Sequence, residues 1–278
     1  MYSHRSRSHT SAPVHTREWR AVPSKRKSIG TGGLAVALVT ALTLTLSGCS
    51  MDTTAPRYGP RRRRVGRQGG VVRPVDCRKA KCIALTFDAG PGEDTPHLLD
   101  ILKEKKVHAT FFLLGKNHVK KHPRHRPPAR GRGGHEIANH TWSHEILTDK
   151  KPAEIRAELE KTQDAIAAIT GKKPRLMRPP QGRTDDTVSG ISKDLGLSQI
   201  LWSATAKDYS TTDSSLIKKR IVDQASKDGI ILLHDIYKGT VPAVPGIIDA
   251  LKKEGYTFVT VPQLMAPAEP VPGTVYRP

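Results

Sequence analysis

The sequence predicts an α/β fold in which repeated strand–helix units build a parallel sheet. Three observations predict it. Short apolar runs, the signature of strands buried on both faces, recur between residues 83 and 261. Segments with helical spacing alternate with them, as βα units require. Roughly 190 residues separate an Arg/Pro/Gly-rich stretch (50–74) from a Pro-rich tail beginning at Ala266, enough for one sizeable core.

The elements follow in chain order. The first strand, 83–87, reads Ile-Ala-Leu-Thr-Phe and delivers Asp88 into a turn containing Gly90 and Pro91. A helix is expected over 95–105 and an aromatic-rich strand over 109–114. A crossover helix is due next, but 122–134 reads HPRHRPPARGRGG. Its prolines, its glycines and the lack of an apolar stripe exclude a good helix. A basic loop and a local reading-frame shift both account for it, because Val-Arg-Arg in GC-rich codons reads out of frame as Arg-Pro-Pro, the letters at 126–128. An in-frame read of the gene through this stretch decides for the loop. A strand over 136–139 comes before the clearest helix, 152–170, which sets Ile155, Leu159, Ala165 and Ile169 near one face with charges opposite. Strands at 175–178, 198–202, 230–233 and 257–261 then alternate with helices at 185–195, 214–226 and 244–253.

The formal charge of +20 suggests nucleic-acid binding until it is placed along the chain. Residues 1–73 hold fourteen Lys/Arg against Glu18 and Asp52, and residues 120–133 add six more with no acid. The rest carries a net charge of only +2, and no RNA-binding or zinc-finger signature accompanies the basic segments, so no nucleic-acid partner is expected. Lys25, Arg26 and Lys27 precede an apolar run, 34–46, that ends in Leu46-Ser47-Gly48-Cys49. That order makes 1–49 a signal peptide, with a run too short to span a bilayer comfortably. Leu-Ser-Gly-Cys resembles a bacterial lipoprotein box. The protein is accordingly expected to be exported and lipid-anchored through Cys49 to the outer face of the cell membrane, simple secretion being the alternative. Residues 50–74 then read as a flexible basic tether and 266–278 as an extended Pro-rich tail. Cys77 and Cys82 bracket four residues just before the first strand, where a hairpin-like return would bring them within disulfide range.

The chemistry-bearing residues cluster at strand ends. Asp88, His140, Arg178, Trp202 and His234 all sit at or just beyond a candidate strand terminus. On a helical turn, residues i and i+4 face the same way, which would let His140 and His144 reach one ion. An acid at a strand end with such a pair is suited to a divalent-metal hydrolase.

These runs resemble the NodB-type polysaccharide deacetylases (carbohydrate esterase family 4), and they follow that family's five motifs in order over about residues 76–265. Thr86-Phe87-Asp88-Ala89-Gly90-Pro91 is similar to the first motif, TFDDGP, except that Ala89 stands where the family places a second aspartate. Gly134-His135-Glu136-Ile137 and His140-Thr141-Trp142-Ser143-His144 match the second. Met177 to Gly182 resembles the third, with Gln181 for tyrosine; 202–209 matches the fourth loosely; Ile231 to Asp235 resembles the fifth.

The resemblance implies a distorted, incomplete (β/α) barrel, hence a domain over 75–265 with its site at the carboxyl ends of the strands. It implies that His140 and His144 hold a divalent metal, zinc or alternatively cobalt. Asp88 would be the general base oriented by Arg178, and His234 the general acid tuned by Asp208. The backbone N–H of Gln181 would bind an oxyanion, with Trp202 and Tyr209 beside the substrate. A monomer is expected. The reaction implied is hydrolysis of N-acetyl groups, or alternatively O-acetyl groups, from a cell-wall or extracellular polysaccharide such as peptidoglycan or a chitin-like polymer. Ala89 cannot ligate, so water, substrate, Glu93 or Asp94 would have to complete the metal shell. The competing expectation is a catalytically weak or inactive relative that grips glycan without cleaving it.

Overall fold

The computed structural model describes residues 75–116 and 134–278. The leader, Cys49, the tether and residues 122–133 lie outside them. The chain order is β1 (Lys81–Asp88), α1 (Thr95–Glu104), β2 (Thr110–Leu113), β3 (Glu136–Asn139), α2 (Pro152–Thr170), β4 (Leu176–Met177), α3 (Asp186–Asp194), β5 (Ser198–Ile200), β6 (Ala204–Thr205), α4 (Ser214–Gln224), β7 (Gly229–His234), α5 (Thr240–Lys253), β8 (Tyr256–Val259), α6 (Val261–Met265) and β9 (Val275–Tyr276). Short 3₁₀ turns at Leu147–Asp149, Pro180–Gly182 and Asp208–Ser210 complete it.

All strand pairs are parallel, in the order β6-β7-β1-β2-β3-β4-β5-β9. Strand β1 organises the sheet. One of its edges pairs with β7 along residues 83–88. Its other edge pairs first with β8, over residues 81–84, and then with β2, over residues 86–88. The sheet is a curled, incomplete (β/α) barrel, as the sequence resemblance implied.

Side-chain alternation sorts β1 into two faces. Ile83, Leu85 and Phe87 pack outward under α1, α4 and α5, against Leu98, Leu102, Ile217, Val244, Ile248 and others. Cys82 and Ala84 point inward with Phe112, Ala138, Leu176, Ile200 and Ile230. Thr86 and Asp88 continue that inward row, so the period of two delivers Asp88 to the barrel mouth. A third cluster, with Ile155, Leu159, Met177, Val188 and Leu197, seats α2 and α3.

Most boundaries agree with the periodicity, α2 and β3 residue for residue. The buried face of α2 is Ile155, Leu159, Thr162, Gln163 and Ile166, whereas Ile169, in the last turn, is exposed. Helix α5 begins at Thr240, four residues before the expected start. Pro242 sits in its first turn, where an N–H has no helical partner to lose, so it does not delay the helix. The two-residue strands β6 and β9 carry no periodic signal of their own. The tail is not extended throughout, contrary to what its composition suggested. Turns at 266–268 and 272–273 fold it back, and its Val275 and Tyr276 pair with Gln199 and Ile200 of β5, so the sheet takes in residues beyond the expected domain end at 265. Cys77 and Cys82 form a disulfide with Cα atoms 5.4 Å apart, beneath the inward cluster. No helix among the described residues is long and apolar enough to cross a membrane.

Candidate active site

A cavity of about 720 Å³ opens at the carboxyl ends of the strands, lined by Asp88, Ala89, His140, His144, Gln181, Trp202, Tyr209 and His234 among others. Arg178 and Asp208 stand directly behind it, both buried. The structure thus brings together every catalytic, substrate and metal residue that the motifs suggested.

Arg178 is the largest fully buried side chain. Its guanidinium donates to Asp88 Oδ1 at 2.6 Å, Thr86 Oγ1 at 2.8 Å, and the carbonyls of Ile200 and Leu201 at 2.9 and 3.4 Å. It also lies over the Phe112 ring, 4.1 Å from the centroid. A buried cation demands such partners. Asp88 Oδ1 is therefore committed, and Oδ2 turns toward His140 Nε2, 3.7 Å away.

His140 is buried, and burial lowers its pKa to about 4, outweighing the pull of Asp88. Its Nδ1 lies 2.8 Å from the carbonyl oxygen of Arg178. A carbonyl can only accept, so the proton is on Nδ1 and the Nε2 lone pair faces the cavity. Burial also lowers the pKa of His144, whose ring centroid is 5.0 Å from that of His140. Contrary to the helical-turn expectation, residues 140–144 are irregular. Thr141 (φ 71°) and His144 (φ 64°) are both left-handed. The rings meet because the backbone doubles back, not because they share a helix face.

Two acceptors, the Nε2 lone pair and Asp88 Oδ2, thus face each other in a buried space with no donor between them. That arrangement, with two neutral imidazoles, fits a divalent cation. Among the described residues the third protein ligand usual in such sites is lacking, because position 89 presents only a methyl group to the cavity. Glu93 and Asp94, expected as substitutes, are exposed near the start of α1 and do not line the cavity. Among the described residues no group of three His, Cys, Asp or Glu converges as a cage.

On the opposite wall, β7 places His234 in register beside Asp88. Asp208 Oδ1 accepts from His234 Nδ1 at 2.9 Å, while its Oδ2 accepts from the His234 backbone N–H and the Thr240 hydroxyl. Burial disfavours the imidazolium, but the Asp208 hydrogen bond and charge prevail, and the His234 pKa is raised. Gln181 is an exposed residue of the cavity lining with a left-handed backbone (φ 56°). Trp202 is half-buried, and Tyr209 stands 59 % exposed at the rim.

Sequence reasoning missed three contributors. Tyr237 lines the cavity, its ring 5.3 Å from that of His234; its place two residues beyond the histidine–acid pair was the available signal. Asp235 fastens the loop that carries Ala89. It accepts from the Thr95 hydroxyl, which in turn accepts from the Gly92 N–H. A β-carbon at Gly90 would fall 2.2 Å from Asp235 Oδ1, so glycine is required there. Glu158 reaches from α2 to the turn between the two histidines.

The sequence profile described as "Polysaccharide deacetylase" matches residues 76–200. The peptidoglycan-N-acetylglucosamine deacetylase PgdA of Listeria monocytogenes is 36 % identical over 188 residues, covering 66 % of this chain and 39 % of that protein. The chain thus spans well under half the length of that relative. A peptidoglycan-N-acetylglucosamine deacetylase of Bacillus cereus is 35 % identical over 191 residues, 66 % of this chain and 88 % of that one. Among solved structures, the T48 deacetylase with substrate superposes with a TM-score of 0.68 at 38 % identity, covering 73 % of this chain and all of that one. A CE4 family pseudoenzyme from Bacillus anthracis superposes at 0.62 with 30 % identity, over 67 % of this chain and 66 % of that one.

Proposed function

The chain belongs to the polysaccharide deacetylase family, and we propose that it hydrolyses N-acetyl groups of a cell-wall glycan, peptidoglycan first. The observation that carries this reading is the presence of a base and an acid in one cavity. Asp88, with one oxygen held by Arg178 and the other turned to the cavity, stands in register beside His234, whose proton is retained by Asp208. A glycan binder has no use for a general acid with a raised pKa.

His140 and His144 would hold the divalent ion, zinc or cobalt. When bound, such an ion supplies carbonyl polarisation and a water of lowered pKa. Asp88 Oδ2 accepts the proton of the attacking water, and Arg178 keeps the carboxylate aimed. The backbone N–H at Gln181, in the cavity lining, supports the oxyanion. His234 Nε2 gives its proton to the departing sugar amine, and Asp208 stabilises the imidazolium beforehand. Trp202 and Tyr209 offer apolar faces to the sugar ring. The identities of the peptidoglycan deacetylases among its relatives support the choice of substrate.

A second reading, a glycan-binding relative with little activity, is favoured by Ala89 and by the likeness to a pseudoenzyme. The two are separated by acetate release from N-acetylglucosamine oligomers and from peptidoglycan with added zinc or cobalt. Release that falls about 10²- to 10⁴-fold in Asp88→Asn and His234→Ala supports the enzyme. No release at saturating metal, with glycan still retained, establishes the binder. We further propose that Cys49 carries lipid and anchors the protein outside the cell membrane; recovery of all protein in the aqueous phase after detergent partition would refute this.

A further inference from the structure

We infer that Glu158, on the outer helix α2, is a positioning residue that sets the relative placement of His140 and His144 and hence the affinity of the site for a divalent ion. The inference rests on the proposed role of those histidines. The turn that joins them is costly by itself. Thr141 and His144 both carry a β-carbon and both adopt positive φ, a conformation disfavoured by about 1–2 kcal/mol per residue. Such backbone persists only where its surroundings over-determine it.

Backbone N–H groups of Gly115 and Lys116 hold the carbonyls of Thr141 and Trp142, and among the described residues Glu158 alone takes up the N–H groups of the two residues between the strained positions. Its Oε2 accepts the backbone N–H groups of Trp142 at 3.0 Å and Ser143 at 2.8 Å, and its Oε1 accepts the Ser143 hydroxyl at 2.7 Å. The carboxylate therefore fills the concavity formed by the two residues that lie between the strained positions. Around it, Asn139 Oδ1 accepts the Thr141 N–H, and Asn139 Nδ2 donates to the carbonyl of Leu159, the neighbour of Glu158. Thr141 Oγ1 accepts the His144 N–H. Helix α2 thus meets the turn directly at Glu158 and, through Asn139 at the end of β3, at Leu159. Glu158 does not line the cavity and touches no reacting atom. Its effect passes through the backbone to His144, whose position no strand or helix fixes.

The test is zinc titration of the full chain by calorimetry, together with the visible spectrum of the cobalt-loaded protein, for Glu158→Gln, Glu158→Asp and Glu158→Ala. Glutamine retains the length and an acceptor for the two N–H groups, and its amide can donate to the Ser143 hydroxyl oxygen. Aspartate retains the charge but is one methylene too short to reach all three donors. Positioning therefore orders zinc affinity as parent, then Gln, then Asp, then Ala, with Ala weaker by about 10- to 100-fold and its cobalt bands altered. A charge effect would instead rank Asp above Gln, and that order overturns the inference. So does parental zinc affinity and an unchanged cobalt spectrum in the Ala protein with only its melting temperature lowered, the mark of a purely structural role. Should Glu158→Ala fail to fold, the Gln-against-Asp order decides alone. A parent chain that binds no zinc refutes the ligand roles of His140 and His144, and this inference falls with them.

Discussion

Replacing Ala89 with Asp should weaken the metal-free protein and tighten the metal site, two effects of opposite sign from one carboxylate. Ala89 is 6 % exposed, lines the cavity and has φ 63°. Aspartate tolerates the left-handed region better than alanine, which recovers up to about 1 kcal/mol. Without metal, the new carboxylate lies next to Asp88. At about 5 Å and an effective dielectric of about 20, two negative charges repel by about 3 kcal/mol. The net loss of about 2 kcal/mol should lower the melting temperature by roughly 4–8 °C. A bound divalent ion removes that repulsion, so affinity should rise by at least the same amount, roughly 100-fold at 1.4 kcal/mol per tenfold. Calorimetric titration with zinc, and melting with and without it, read both effects. Equal zinc affinities in the two proteins would refute the reasoning. They would mean that another donor already fills the third position, Asp88 Oδ2 being the nearest to His140.

Two further outcomes follow from the buried charges. His234 has a raised pKa because Asp208 holds its proton; a general acid works below its pKa and fails as pH rises through it. Asp208→Asn should therefore move the alkaline limb of the rate profile to lower pH, and an unmoved limb would show that His234 is not the titrating acid. Arg178→Met leaves Asp88 buried and unpaired, a change that costs about 3–5 kcal/mol in urea denaturation. Asp88→Asn should cost less, because Arg178 keeps Thr86 and the carbonyls of Ile200 and Leu201; the reverse order would contradict this account.

What the sequence by itself determined was local. A run of apolar residues has one periodicity wherever it folds, so β1, β3 and α2 were legible from their own letters. The site residues at strand termini were legible for the same reason, since a strand's end is where its apolar run stops. The motif order pointed to the fold, and the Cys77–Cys82 spacing to the disulfide. Only the tertiary structure decided what met what. Thr86 donates to the carbonyl of a residue 145 positions away, because parallel pairing joins strands separated by whole βα units. β6 and β9 exist only as partners of β7 and β5; two residues are too few to carry a period. The His140–His144 turn contradicts the helical reading of its spacing, since its strained backbone is held by Glu158 and Asn139 rather than by its own propensity. Spacing states which residues are near in sequence, but only register and packing set where their side chains converge. For that reason a lone glutamate on an outer helix gave no sign in the sequence of the histidine pair it supports.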